Sequence, residues 1–210
     1  MKFNRNFYLN DPFVLADNLL GATLHTKIED EVVSGKIVEL EVYLGTTDKA
    51  SHAYGGRRTT RTEVMYHSGG IAYVYFIYGM YSLFNIVTGT KGVPHAILIR
   101  ALEPIAGIDI MKRRRKNDNI FSLTSGPGKL CTALKITRNH NGIDLTGNTI
   151  WINSPEKRVT DNKIIMAKRV GIDYAEEYRD KLWRFYIKDN PHVSKQVPAV
   201  KLKGNYEKIL

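Results

Sequence analysis

The sequence predicts an α+β fold: one domain over residues 1–210, a curved and largely antiparallel β-sheet, surrounding helices and a protruding β-hairpin. Three observations carry this. Short apolar runs alternate with period two, the mark of half-buried strands. Several of them are joined by connections of hairpin length, while helical patterns are few and scattered, which argues against a parallel βαβ sheet. No repeat, low-complexity tract or long linker divides the chain. A chain of this length can remove roughly 70% of its unfolded surface from water.

The elements follow in order. Asn10-Asp11-Pro12 reads as a helix cap with proline at the first helical position, and Phe13, Val14, Leu15, Leu19 and Leu20 continue an apolar stripe that Gly21 stops. Residues 22–28 and 32–44 read as strands about the polar turn Glu29-Asp30-Glu31. Residues 45–61 form a polar loop, and 61–67 one or two helical turns. An aromatic strand, 71–77, turns through Tyr78-Gly79-Met80 into a return strand, 81–88, and 95–102 follows as another. Pro104 is expected to open a helix into Lys112–Lys116, and Ser125-Gly126-Pro127 one running through Leu134. Residues 149–153 and 184–187 read as short strands, 174–182 as a helix, and the basic tail from Asn190 as loosely packed.

Composition bounds the function. Hydrophobic residues at 43% and charged residues at 25% exclude a disordered chain. No apolar run is long enough for a transmembrane helix, and the first residues lack the apolar stretch of a signal peptide. The single cysteine, Cys131, excludes an internal disulfide and a thiolate metal site, and the six histidines show no ligand spacing. A cytosolic or nucleoid setting (nuclear in a eukaryote), no metal and no cofactor are expected.

The formal charge is +10. Net −3 over residues 1–51 gives way to net +7 over 52–116, with clusters at Arg57, Arg58 and Arg61 and at Lys112–Lys116. Such clusters read either as solvated surface or as sites for polyanion phosphates.

Two segments carry candidate chemistry. In the strand Ile37–Gly45, alternation places Val38, Leu40, Val42 and Leu44 on one face and Glu39, Glu41 and Tyr43 on the other. That second face is either the wet side of an amphipathic strand or a pair of carboxylates arranged for acid/base work. In the hairpin, Tyr73, Tyr75 and Ile77 share one face, and Ala72, Val74 and Phe76 the other. Aromatic stripes are core or platforms on which bases stack; large groups at a turn tip, Tyr78 and Met80, suit a wedge between base pairs.

The run Ile37-Val38-Glu39-Leu40-Glu41-Val42-Tyr43-Leu44-Gly45, with Ser51-His52-Ala53 and Gly55-Gly56, resembles the alkyladenine (3-methyladenine) DNA glycosylase family of the mammalian type. Tyr73–Tyr81 with Asn85, Leu98–Pro104, Ser125–Leu130 and Arg169–Ile172 are similar to further blocks of that family. The resemblance runs from about Gly21 to the tail. It implies base-excision repair: a monomer that binds double-stranded DNA containing damaged purines, everts the base and hydrolyses its bond to deoxyribose. By position it implies Glu41 as the base that activates water and Arg100 as the arginine beside it. Tyr43, His52 and Tyr75 would be the walls about the base, and Asn85 the residue that disfavours the amino group of guanine. Tyr78 would fill the gap in the duplex, with Gly79 and Met80 beside it. The Gly-rich stretch from Ser125 to Lys129, ahead of a helix, is expected to give backbone N–H groups to a DNA phosphate. The pocket segments 37–45 and 71–85 contain no lysine, so base removal without strand cleavage is expected. Competing readings are a damaged-DNA-binding module without catalysis and an enzyme on free carbohydrate, which would need neither the basic field nor the wedge.

Overall fold

The computed structural model of the protein describes residues 1–77 and 79–196, and the backbone of 201–202. A 3-10 turn at Arg5–Leu9 precedes α1 (Pro12–Leu19), where the Asp11 carboxylate accepts from the Phe13 and Val14 N–H groups. Two orphan amides are thereby satisfied, and Pro12 occupies the first turn, where no N–H is needed. The strands are β1 (Thr23–Ile28), β2 (Glu31–Tyr43), β3 (Ala72–Ile77), β4 (Tyr81–Thr88), β5 (His95–Ala106), β6 (Ile150–Asn153), β7 (Ile164–Ala167), β8 (Arg184–Ile187) and β9 (Lys201–Leu202). Between β5 and β6 lie α2 (Ile108–Arg115) and α3 (Pro127–Leu134).

Among the described residues every strand pair is antiparallel, in one sheet of order β3-β4-β5-β2-β8-β7-β9, with β1 bridging β2 and β6. Antiparallel neighbours need only tight turns, which is why hairpin-length connections in the sequence read correctly as this topology. The main core gathers Leu15 and Leu19 from α1, Leu40 and Val42 from β2, Phe84 and Ile86 from β4, Ile97, Ile99 and Leu102 from β5, and Leu130 and Leu134 from α3.

The long central pair β2–β5 is not regular. Its register passes from Ile37↔Leu102 to Glu39↔Ala101 and then to Leu40↔Ile99, so Val38 on one strand and Arg100 on the other stand opposite nothing. A bulge puts two successive side chains on the same side of the sheet. Ile37, Leu40 and Val42 therefore enter the main core, whereas Val38 joins a smaller cluster on the opposite side with Ala101, Ile165, Ala167 and Tyr186. The expected face of Val38, Leu40 and Val42 is thus broken at Val38. The bulge at Arg100 has the complementary effect: it turns that guanidinium to the side occupied by Glu39 and Glu41.

Three further expectations are corrected. Pro104 opens no helix: β5 continues to Ala106, with Pro104 opposite Gly35 beside a register shift, where a missing N–H is tolerated. Gly107, at φ 71°, makes the turn, and a side chain there would meet Val33 at 2.5 Å. Residues 174–182 hold only a 3-10 turn, Glu176–Asp180. Residues 191–196 are docked, with His192 and Val193 buried and Ser194 bonded to Glu39, while the rest of the expected loose tail, apart from the backbone of 201–202, lies outside the described residues. β7, four apolar residues after the 3-10 turn Asp161–Lys163, answers to no expected element.

Candidate active site

Glu39 and Glu41 are both completely buried. A carboxylate moved out of water in this way costs several kcal/mol unless it is paired and hydrogen-bonded, and both are. Glu39 Oε1 accepts from Arg100 Nε at 3.0 Å, Arg184 Nε at 2.9 Å and Ser194 Oγ at 2.9 Å, and its Oε2 accepts from the Ser194 N–H at 2.7 Å. Glu41 Oε1 accepts from the Val170 N–H at 2.7 Å and lies 3.3 Å from a terminal nitrogen of Arg100; its Oε2 accepts from the Tyr43 hydroxyl at 2.8 Å. The wet acidic face that alternation alone allowed is therefore absent. Burial works against the charge of Arg100, but Glu41 and Glu39 outweigh it and hold the guanidinium above its ordinary range. Burial, with Glu41 beside it, likewise holds the Tyr43 phenol well above the usual value, so it stays a proton donor.

Above this group opens a cavity of about 390 Å³, lined by Tyr43, His52, Tyr73, Tyr75, Asn85 and Arg100 among others. Glu41 does not line it; it sits directly behind Tyr43 and Arg100. The β3–β4 register explains the walls: Tyr73, Tyr75 and Ile77 face the cavity, while Ala72 and Val74 enter the core with Phe84 and Ile86. His52 stands edge-on to Tyr75, with centroids 4.6 Å apart, and its Nδ1 is 2.8 Å from the Tyr73 hydroxyl. Burial, assisted by Arg61 and Arg57, lowers His52 to about 4, so the ring is neutral at pH 7. Asn85, opposite Tyr73 and buried, donates to the Tyr73 carbonyl at 3.2 Å and points the rest of its amide at the cavity wall.

The aromatic walls Tyr43, His52 and Tyr75 suit a planar ring stacked between them. The rings also carry cations of their own. Arg169 lies over Tyr43 at 4.6 Å and Arg61 over Tyr75 at 5.1 Å. One face of each π system is thus already taken, which weakens the pull of either ring on a cationic guest relative to a bare tyrosine.

At the hairpin tip Gly79 adopts φ 67°, with open space around it, and Met80 is 65% exposed. Tyr78 lies outside the described residues. Ser125 and Gly126 lead into α3, whose Pro127 borders the cavity and whose Lys129 is exposed. Gly128 lets α3 approach the Tyr81 ring closely, since a side chain would stand 3.0 Å from it. The basic clusters are less free than the sequence implies. Arg58 forms a two-pronged pair with Glu63, and Arg113 and Arg114 both pair with Glu31. Arg114 also donates to the Ala133 carbonyl and is only 10% exposed, so it ties α2 to α3 rather than standing ready for a phosphate.

The structure brings Glu41, Arg100, Tyr43, His52, Tyr75 and Asn85 to one place, and sets Met80, Ser125 and Lys129 outside it. It also adds residues that sequence reasoning did not single out. Val170, Ile172 and Tyr174 close the far wall, and Tyr73 orients His52. Arg169, locked to Asp48 at 2.5 and 2.9 Å, backs Tyr43. The block Arg169–Ile172 carried the only signal for that wall.

The chain matches the profile of the methylpurine-DNA glycosylase family over residues 6–191. Among curated proteins it is 50% identical over 202 residues to one from Clostridium acetobutylicum, covering 92% of this chain and 98% of that protein. A Clostridium novyi protein is 47% identical over 207 residues (93% and 99%), and a Clostridium botulinum protein 49% over 203 residues (92% and 99%). Each bears the name "Putative 3-methyladenine DNA glycosylase".

Proposed function

The chain belongs to the methylpurine-DNA glycosylase family of base-excision repair enzymes, and from that premise we propose that it everts alkylated or deaminated purines from duplex DNA into the aromatic cavity and hydrolyses their N-glycosidic bond. The candidate substrates are 3-methyladenine, 7-methylguanine, hypoxanthine and ethenoadenine. The observation that carries this reading is a buried carboxylate, Glu41, directly behind an aromatic slot and joined to Arg100 and Tyr43, which both line it.

A base within the duplex hides its glycosidic bond, so eversion comes first, at a cost of a few kcal/mol. Tyr78 and Met80 fill the gap; Lys129 and the backbone amides that open α3 take a neighbouring phosphate. Stacking on Tyr75 and Tyr43 offsets part of the cost, at about 1–3 kcal/mol per stacked base. Water enters beside Arg100. As the C1′–N bond breaks, the bonding pair leaves with the purine and positive charge grows on the sugar, which anionic Glu41 stabilises. The water oxygen bonds C1′ and its proton passes to Glu41. Among the described residues no lysine lines the cavity, which supports base removal that leaves an intact strand with an abasic site.

The test is single-turnover excision from duplexes carrying each lesion. Glu41→Gln is expected to slow excision at least about a hundredfold, the ordinary weight of general-base catalysis, while lesion binding in gel-shift assays is retained. Undiminished excision by that variant removes Glu41 from the chemistry.

A further inference from the structure

Glu39 is wholly buried, and the proposed chemistry gives it no step. Its carboxylate nevertheless collects four hydrogen bonds, from Arg100, Arg184 and both the N–H and the hydroxyl of Ser194. The contact with Arg100 is made through Nε, which leaves a single terminal nitrogen 3.3 Å from Glu41.

That arrangement is not what a lone arginine beside a carboxylate adopts. The planar fork closes on both oxygens when nothing holds it elsewhere. The same molecule shows this at Arg169, whose two terminal nitrogens grip the two oxygens of Asp48 at 2.5 and 2.9 Å. Arg100 makes no such grip on Glu41: its Nε is held by Glu39, one terminal nitrogen lies 3.3 Å from Glu41 Oε1, and Glu41 Oε2 is taken by the Tyr43 hydroxyl. Arg184, opposite Glu41 in the β2–β8 register, is likewise turned to Glu39.

We infer that Glu39 is a positioning residue for the reaction: it restrains Arg100 to one long contact with Glu41 and so leaves Glu41 placed to take the proton of the attacking water. The inference rests on the function proposed above. Releasing Arg100 would act in one direction: a guanidinium free to close on both oxygens of Glu41 would stabilise the ionised carboxylate and weaken it as a base. The other groups facing Glu41 are Tyr43 on its own strand, Arg184 on β8, Arg169 and the Val170 N–H on the following segment, and Tyr75 and Tyr174 about the cavity. None of these takes the Nε edge of Arg100. Ser194 completes the device by fixing Glu39 from the segment after Asn190, and the Lys195 carbonyl holds the far end of Arg184.

The experiment is the pH profile of single-turnover excision for the full-length protein and its Glu39→Gln, Glu39→Asp and Glu41→Gln variants, with melting temperatures measured alongside. Glu39→Gln is expected to lose about tenfold in rate at neutral pH and to move the acid limb down by about half a pH unit or more. Glu39→Asp keeps the charge but draws the carboxylate back from Arg100. It is expected to move the limb the same way by a smaller step, and it decides the matter if Glu39→Gln does not fold. A purely structural role lowers the melting temperature and leaves the acid limb in place; with Glu41→Gln inactive, that result overturns this inference alone. Full excision by Glu41→Gln overturns it together with the functional reading, since no base is then left to tune.

Discussion

Arg61 lies over Tyr75, and it acts through a hydrogen bond and its charge on the Tyr73 hydroxyl that meets His52. The neutral His52 ring and the Tyr73 hydroxyl share one hydrogen bond at 2.8 Å, so Arg61 bears on both. The same cation occupies one face of the Tyr75 π system. Removing it should favour cationic lesions over neutral ones. Arg61→Ala is expected to raise the ratio of 7-methylguanine to hypoxanthine excision by about two- to fivefold, the equivalent of a partly exposed cation–π contact; competition assays on paired duplexes read this directly, and an unchanged ratio places Arg61 outside selectivity. Residue-scale legibility was uneven for a physical reason. Glu41 and Tyr43 share a strand two positions apart, so alternation and resemblance both point at them. The burial of Glu39 depends on Arg184 and Ser194, whose separations of 145 and 155 residues leave no local trace.

At the scale of elements, the aromatic hairpin could be read in advance because both of its strands alternate cleanly about Gly79. The strands of the central pair β2–β5 were legible too, with Leu40 and Val42 on the expected core face, but the bulge was not: the sequence carries no mark for it at Val38 or Arg100. Helices α2 and α3 divide the basic charge unequally. On α2, Arg113 and Arg114 are spent on Glu31 and the Ala133 carbonyl. Lys129, near the start of α3, is exposed. An ion pair already made in the free protein releases fewer DNA counterions when DNA binds. Lys129→Ala is therefore expected to reduce the salt slope of duplex binding by about one, whereas Arg114→Ala should leave the slope and lower the melting temperature. Fluorescence anisotropy across a salt series distinguishes them, and the opposite pattern would move the phosphate-binding face from α3 to α2.

The whole molecule stores acid sensitivity in its histidines. Burial lowers His25, His52, His95, His140 and His192 below the ordinary imidazole value, His52 to about 4. In the unfolded chain each titrates near 6.5. Between the two values the unfolded state binds more protons than the native state, so stability is complete above about pH 6.5 and falls as the pH drops towards 4. Lowered carboxylates such as Glu103 and Asp144, held by Lys36 and Thr146 against the opposing effect of burial, lose their contribution in the same direction at lower pH still. A chain already at +10 gains further self-repulsion as the histidines charge. Salt screens that repulsion but cannot cancel the difference in proton binding, so the two are separable. The melting temperature should fall steadily from pH 7 to pH 5 at high salt, with uptake of more than about one proton on unfolding near pH 5.5. Calorimetry in buffers of different ionisation enthalpy measures that uptake. His52→Phe should reduce it by close to one proton, because His52 has the most displaced ring. A melting temperature that stays level over this range would mean that the histidines are solvated and that the wall of the cavity is open to water.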